Sequence, residues 1–248
     1  LIEKYAKRAD FPEIKLLAAP CLCTAPPERG WRRMLKTIIM DFDGLIVDTE
    51  NVWYHIFKEW FQKYKGYDLS VMEFLKCVGS NSEDLFRELD GKGIHVDREQ
   101  FSHDTTESFI EASSILPAKE GVETFLRQSK ENGLFVALAT SSGKKKPTVH
   151  LNRLGLMKYF DFLVTAEDVE HIKPAPDLFL AAAEKTEAAP QECLVVEDSL
   201  NGLKAGLNAK MRVLVVPNEV TRHCAFEGQY RIENSLADVD VRELIENF

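Results

Sequence analysis

The stretch Thr37-Ile38-Ile39-Met40-Asp41-Phe42-Asp43-Gly44 constrains this chain more than any other. A short branched apolar run that stops abruptly at acids and a glycine reads as a buried parallel strand delivering carboxylates to its carboxyl edge. Open α/β sheets place their ligands at that edge. Asp41 and Asp43 are two apart, so in an extended chain they share a face, and Gly44 lets the backbone turn sharply beyond them. Aspartate and glycine are also ordinary turn residues, and on these residues alone a strand end followed by a polar turn reads equally well.

The chain after this strand has two textures. Trp53, Ile56, Phe57, Trp60, Phe61 and Tyr64 recur at three- and four-residue steps, a wide helical stripe closed by Gly66. A second short helix is expected over Ser70–Cys77, a third from a Ser80/Glu83 capping box through Leu89, and a fourth from Arg98 to Ile115. This all-helical stretch, 51–116, exceeds any ordinary connection, so it is expected to form a small domain over the strand's carboxyl edge.

From Pro117 helices and strands alternate. Strands are expected at Leu134–Ala139, Phe160–Thr165, Cys193–Val196 and Val213–Val216, with a short one near Tyr230. Helices are expected around Val122–Leu126, Pro147–Leu154, Asp177–Thr186, Leu200–Asn208 and Val241. The expected fold is α/β: a doubly wound parallel sheet formed by 34–50 and 117–248, with the helical domain inserted after the first strand.

With 40 acidic against 31 basic residues the formal net charge is -9, which disfavours nucleic-acid and anionic-membrane partners. Lys144-Lys145-Lys146 is the only basic triplet and reads as a solvated loop. Five cysteines, Cys21, Cys23, Cys77, Cys193 and Cys224, show neither Cys-x-x-Cys pairs nor zinc spacing. They read as free thiols, which fits a cytoplasmic protein. Residues 1–33 carry Pro12, Pro20, Pro26 and Pro27 and sustain no period, so they read as a dispensable or non-native leader. No apolar run approaches the ~20 residues of a membrane span.

Four polar groups fall at strand ends or on adjoining loops: Asp41 with Asp43, Thr140-Ser141-Ser142, Lys173, and Glu197 with Asp198. Each has a plain alternative. The hydroxyls read as a polar turn, Lys173-Pro174-Ala175-Pro176 as a helix start, and Glu197-Asp198-Ser199 as a helix cap. Converging on one edge, they describe a phosphate site. Two carboxylates ~4 Å apart repel by about 4 kcal/mol at an effective dielectric of ~20, so crowded acids call for a cation. An all-oxygen set suits Mg2+.

In this order the groups resemble the four motifs of the haloacid dehalogenase superfamily, in its β-phosphoglucomutase-like and phosphoglycolate phosphatase-like branch, over essentially Met34 to the carboxyl terminus. The resemblance implies an aspartyl-phosphate formed on Asp41, with Asp43 as acid/base, Thr140 and Ser141 binding phosphate, and Lys173 screening it. It also implies a metal site built from Asp41, Asp43, Glu197 and Asp198, and a helical cap that presents Lys76, Ser80 and Asn81 to substrate. Mutases of this branch carry a histidine early in the first cap helix and an arginine after a Leu-Lys-Gly-Val segment. Trp53 stands at the first position here, and Leu75-Lys76-Cys77-Val78-Gly79-Ser80-Asn81 has no arginine. The expectation is therefore an Mg2+-dependent phosphatase for small phosphorylated metabolites, sugar phosphates or phosphoglycolate, working as a monomer or weak homodimer. A phosphomutase is the alternative and a non-enzymatic phosphoacceptor a more distant one. Dehalogenation is disfavoured, because it has no need of the acid/base Asp43.

Overall fold

Strand β1 (Thr37–Met40) is buried at all four positions, as expected of a strand covered on both faces. The computed structural model describes residues 34–248; the leader reading of 1–33, with Cys21 and Cys23, lies outside the described residues. With β2 (Phe135–Ala139), β3 (Phe162–Val164), β4 (Cys193–Glu197), β5 (Arg212–Val215) and β6 (Arg231–Ile232) it forms a six-stranded sheet in the order β3-β2-β1-β4-β5-β6. Every pairing is parallel.

The order reverses at β1, whose neighbours β2 and β4 lead the chain to opposite sides. Such a switch point opens a crevice at the strands' carboxyl ends. Register decides what stands there. Met40 is level with Leu138 on β2 and with Val196 on β4, so Asp41 comes beside Glu197, and Thr140 follows one residue after β2 ends. The Asp41 N–H donates to the Val196 carbonyl at 3.0 Å, carrying the ladder one residue past β1.

Alternate residues of each strand pack to opposite faces. Ile38, Met40, Val136, Leu138, Leu194 and Val196 join one core with helices α5 (Val122–Glu131), α6 (Lys145–Arg153) and α9 (Val241–Asn247). Ile39, Ala137, Val195 and Val213 join the other with α7 (Asp177–Lys185) and α8 (Leu200–Asn208).

Between β1 and α5 lie α1 (Thr49–Lys65), α2 (Val71–Phe74), α3 (Glu83–Gly91) and α4 (Arg98–Ser113). Phe57, Trp60, Phe61, Phe74, Leu85, Leu89 and Phe101 from these helices build a third hydrophobic core, to which the β5 side adds Val220.

One local expectation is corrected. The capping box forms at Ser70 and Glu73, ahead of α2, and not at Ser80 and Glu83. Before α3 the chain turns through Gly79 at φ +75°, and the helix starts at Ser82, where Asn81 Oδ1 accepts from the Glu83 N–H at 3.0 Å. The Ser-x-x-Glu spacing is the same at both places, but Ser70 is an N-cap with extended backbone whereas α3 takes Ser82 as its N-cap.

Candidate active site

Asp41 and Glu197, neighbours across β1 and β4, are bridged by one lysine. Lys173 reaches them from the loop before α7: its Nζ donates to Asp41 Oδ1 at 2.5 Å and to Glu197 Oε1 at 2.6 Å. Lys173 is only 1% exposed. Burial by itself disfavours its charge, but Asp41 and Glu197 outweigh burial and hold its pKa above the ordinary range.

The second Glu197 oxygen accepts from the Asp198 N–H at 2.9 Å, the Ser199 N–H at 3.1 Å and the Ser199 hydroxyl at 3.0 Å. Both oxygens of Glu197 are thus engaged by protein. Asp198 Oδ2 accepts from Asn218 Nδ2 at 2.6 Å. Gly44 makes room for this pair, since at φ +72° a Cβ there would lie 2.3 Å from Asp198 Oδ2. Lys119 secures the same turn, donating to the Gly44 carbonyl at 2.7 Å.

Asp43 has a separate cation. Lys146, in the first turn of α6, pairs with Asp43 Oδ1, the Thr49 hydroxyl donates to that oxygen at 2.6 Å, and the Ser142 hydroxyl donates to Oδ2 at 2.6 Å. The lysine triplet thus contains a site residue, whereas from the sequence it reads as a solvated loop.

The two aspartates are pushed apart. Burial, reinforced by Glu197 and Asp43 against the pull of Lys173, raises Asp41 to about 7. Burial also pushes Asp43 up, but Lys146 with the Ser142 and Thr49 hydrogen bonds overcomes it, leaving Asp43 below its ordinary value. Paired carboxyls with divergent environments are how a site separates acid and base tasks.

Asp41, Asp43, Thr140, Ser141 and Ser142 line a cavity of about 400 Å3 between the sheet edge and the helical insertion. Ser141 does more than face the cavity: its hydroxyl donates to the Gly79 carbonyl at 3.1 Å, tying β2 to the loop ahead of α3. Asn201 makes the companion link, donating to the Val78 carbonyl at 2.8 Å. Of the three insertion residues named from the sequence, Ser80 lines the cavity. Lys76 pairs with Glu88 and lines a different cleft with Leu75 and Lys204, and Asn81 caps α3. Trp53 lines the cavity wall and stacks on Phe109 at 3.9 Å between ring centroids. Sequence reasoning placed Ser142 among the edge hydroxyls without its bond to Asp43, and missed Lys146, Thr49 and Glu50, the last a buried acid in the same cavity.

Asp41, Glu197 and Asp198 each offer an oxygen within 4.8 Å of the others. Three clustered acids, two of them sharing one buried lysine, with Asp41 Oδ2 and Asp198 Oδ1 accepting from no described residue, suit a hard divalent cation. The Asp43 carboxylate stands outside this group, turned to Lys146, Thr49 and Ser142.

A doubly wound sheet with two aspartates after its first strand, a buried lysine and a helical insertion over the edge defines a class of acid-nucleophile hydrolases. Residues 38–216 match the haloacid dehalogenase-like hydrolases, and the chain belongs to that family, in its branch of β-phosphoglucomutase-like phosphatases and mutases. YhcW of Bacillus subtilis, named as a candidate phosphatase, is 36% identical over 219 residues, covering 86% of this chain and 98% of YhcW. CbbY from Rhodobacter sphaeroides, crystallised in complex with phosphate, superposes with a TM-score of 0.67 at 25% identity, covering 83% of this chain and 96% of CbbY. The β-phosphoglucomutase from Clostridium difficile shares the fold with a TM-score of 0.72 at 24% identity, covering 86% of this chain and 96% of that one.

Proposed function

We propose that this chain is an Mg2+-dependent phosphatase that hydrolyses small phosphorylated metabolites through an aspartyl-phosphate on Asp41. The observation that carries the reading is the division of Asp41 and Asp43 between two lysines at one cavity. Lys173 holds one Asp41 oxygen and leaves the other to act as nucleophile, while Lys146 and two hydroxyls aim Asp43 into the same cavity.

Asp198 would hold the cation through its free oxygen and Asp41 through the oxygen that Lys173 also holds, with Glu197 orienting Lys173 and the loop that carries Asp198. A bound divalent ion supplies positive charge against the crowded acids and the phosphoryl oxygens. Asp41 attacks phosphorus in line and the leaving oxygen takes a proton from Asp43. Asp43 is ionised in the free site; the negative charge of an arriving phosphate raises its proton affinity, so that it takes up one proton from solvent as the substrate binds and this is the proton it gives to the leaving oxygen. It then accepts a proton from the water that cleaves the acyl-phosphate. Thr140, buried at the end of β2, offers its hydroxyl hydrogen to a phosphoryl oxygen while its oxygen accepts from the Ser142 N–H at 3.1 Å, and the Ser141 backbone adds an N–H group. Helices α1–α4 serve as the cap that excludes bulk water.

Hydrolysis is favoured over mutase chemistry by the cavity's charge. Its cations are Lys146 and Arg98, each beside an acid: Asp43 for the first and Glu83, at 3.3 Å, for the second. Neither is left for the second phosphate of a bisphosphate intermediate. The test is Mg2+-dependent release of inorganic phosphate from a panel of phosphorylated metabolites, with Asp41→Asn as control. Multiple turnovers abolished in the variant support the reading. Folded, metal-loaded protein that releases none overturns it, and conversion of β-glucose 1-phosphate to glucose 6-phosphate would identify a mutase.

A further inference from the structure

Glu50 has no role in the chemistry above, yet it stands in the same cavity. It lies in the first turn of α1, one residue after the Thr49 that anchors Asp43. Only 8% of it is exposed, and what is exposed faces the cavity shared with Asp41, Asp43 and Lys146. Its carboxyl makes no hydrogen bond or ion pair with any described residue; Lys146, whose charge acts on it, is paired with Asp43.

A carboxyl held in a buried pocket without a protein partner gives up much of its hydration and gains no hydrogen bond in return. Burial, with Asp43 adding to it, holds Glu50 up to about 8, which expresses the same deficit. Ionised or neutral, the group can accept a hydrogen bond. A second anion entering beside it would meet Glu50 and Asp43, with both cavity cations already paired.

We infer that Glu50 is a specificity-determining residue that accepts a hydrogen bond from a hydroxyl of the leaving alcohol, so that the preferred substrates are hydroxylated monophosphates carrying no second anionic group. The inference deepens the phosphatase reading and rests on it. The leaving alcohol supplies the donor that the protein withholds, and the aromatic wall of Trp53, Phe57 and Phe101 closes around its carbon skeleton.

The test compares kcat and KM of the Mg2+-loaded wild type, Glu50→Ala and Glu50→Gln. Its substrates are glycerol 1-phosphate, sorbitol 6-phosphate, fructose 6-phosphate, fructose 1,6-bisphosphate and phenyl phosphate. In the wild type the best hydroxylated monophosphate should exceed phenyl phosphate in kcat/KM, and fructose 6-phosphate should exceed the bisphosphate by about tenfold or more. The preference over phenyl phosphate should fall about tenfold in Glu50→Ala, the worth of one net hydrogen bond, chiefly through KM. Glu50→Gln keeps an acceptor and should recover most of it. An unchanged preference in Glu50→Ala, or equal use of the bisphosphate by the wild type, overturns the inference and leaves the phosphatase reading standing. If Glu50→Ala lacks the wild-type circular dichroism spectrum, Glu50→Met replaces it, and the wild-type comparisons stand without any variant. Failure to hydrolyse every substrate, phenyl phosphate included, overturns the phosphatase reading and this inference with it.

Discussion

Replacing Gly202 by alanine tests whether Glu197 is held as firmly as its hydrogen bonds imply. Gly202 lies in the first turn of α8, and a Cβ there would stand 1.8 Å from Glu197 Cδ and 1.9 Å from its Oε1. In an open helical position the substitution gains about 0.5–1 kcal/mol. Gly91 in α3 is such a position, with nothing within 4 Å of its Cβ site. At Gly202 the sign should reverse, because Glu197 has nowhere to go: one oxygen holds Lys173 and the other accepts three donors. Overpacking costs about 1–3 kcal/mol, and breaking a buried ion pair on the order of 3–5 kcal/mol. Even partial displacement therefore outweighs the helical gain, for a net loss of about 2–4 kcal/mol. At roughly 2–4 °C per kcal/mol for a domain of this size, the melting temperature should fall by about 5–15 °C. Phosphate release should fall with it, since Lys173 and Asp41 lose their shared anchor. Thermal unfolding by circular dichroism, run beside Gly91→Ala, measures the first effect. A Gly202→Ala protein that melts at or above the wild type and keeps its turnover would refute the reasoning.

Removing Lys146 leaves burial to dominate at Asp43, so the acidic limb of the pH–rate profile should move to higher pH in Lys146→Ala, and kcat at neutral pH should fall about 10–100-fold; an unmoved limb counts against Asp43 as the base. At Glu73 burial pushes the pKa up, but Lys92, Ser70 and Tyr67 outweigh it and hold the carboxyl at about 2 against an ordinary 4.5. A depressed pKa contributes stability above the unfolded value that is lost as pH falls through the folded one. Glu73→Gln should therefore cost up to about 3 kcal/mol at pH 7, and the gap in urea midpoints should close between roughly pH 5 and pH 2; a constant gap refutes it. Mg2+ at a hundredfold over its Kd should stabilise the wild type by about 2.7 kcal/mol and do much less for Asp198→Asn. Chelation should abolish phosphate release; release unchanged in EDTA would exclude the proposed cation.

The sheet and the order of its edge groups were legible because buried parallel strands announce themselves as short branched runs, and their carboxyl ends are where polar residues interrupt. Asp41, Thr140, Glu197 and Asp198 follow from that rule alone once the strands are placed. Lys146 was not legible in this way. A lysine triplet looks like solvent-facing charge, and only the register of α6 directs its third member back to Asp43. Glu50 was hidden for a related reason: an acid in a helix's first turn is ordinarily explained by the helix dipole. Its surroundings are instead the cavity it shares with Asp41, Asp43 and Lys146. Lys76 and Asn81 show the opposite limit, since residues close in sequence to Ser80 turn toward another cleft or cap a helix as the loop coils through Gly79.

Two lysines account for the asymmetry of two aspartates that differ little in sequence position. Lys173 is wholly buried and shared with Glu197, so it compensates Asp41 only in part, and Asp41 remains high at about 7. Lys146 has Asp43 as its only carboxylate partner among the described residues and brings Ser142 and Thr49 with it, so Asp43 falls below its ordinary value. A cation between Asp41 and Asp198 would lower Asp41 without acting equally on Asp43, whose carboxylate lies outside that cluster. The pair would then hold an ionised nucleophile beside a base that regains proton affinity only when phosphate arrives. In the proposed mechanism Glu197, although neither of its oxygens is free, therefore acts through Lys173: by sharing that lysine it sets how far Asp41 is compensated.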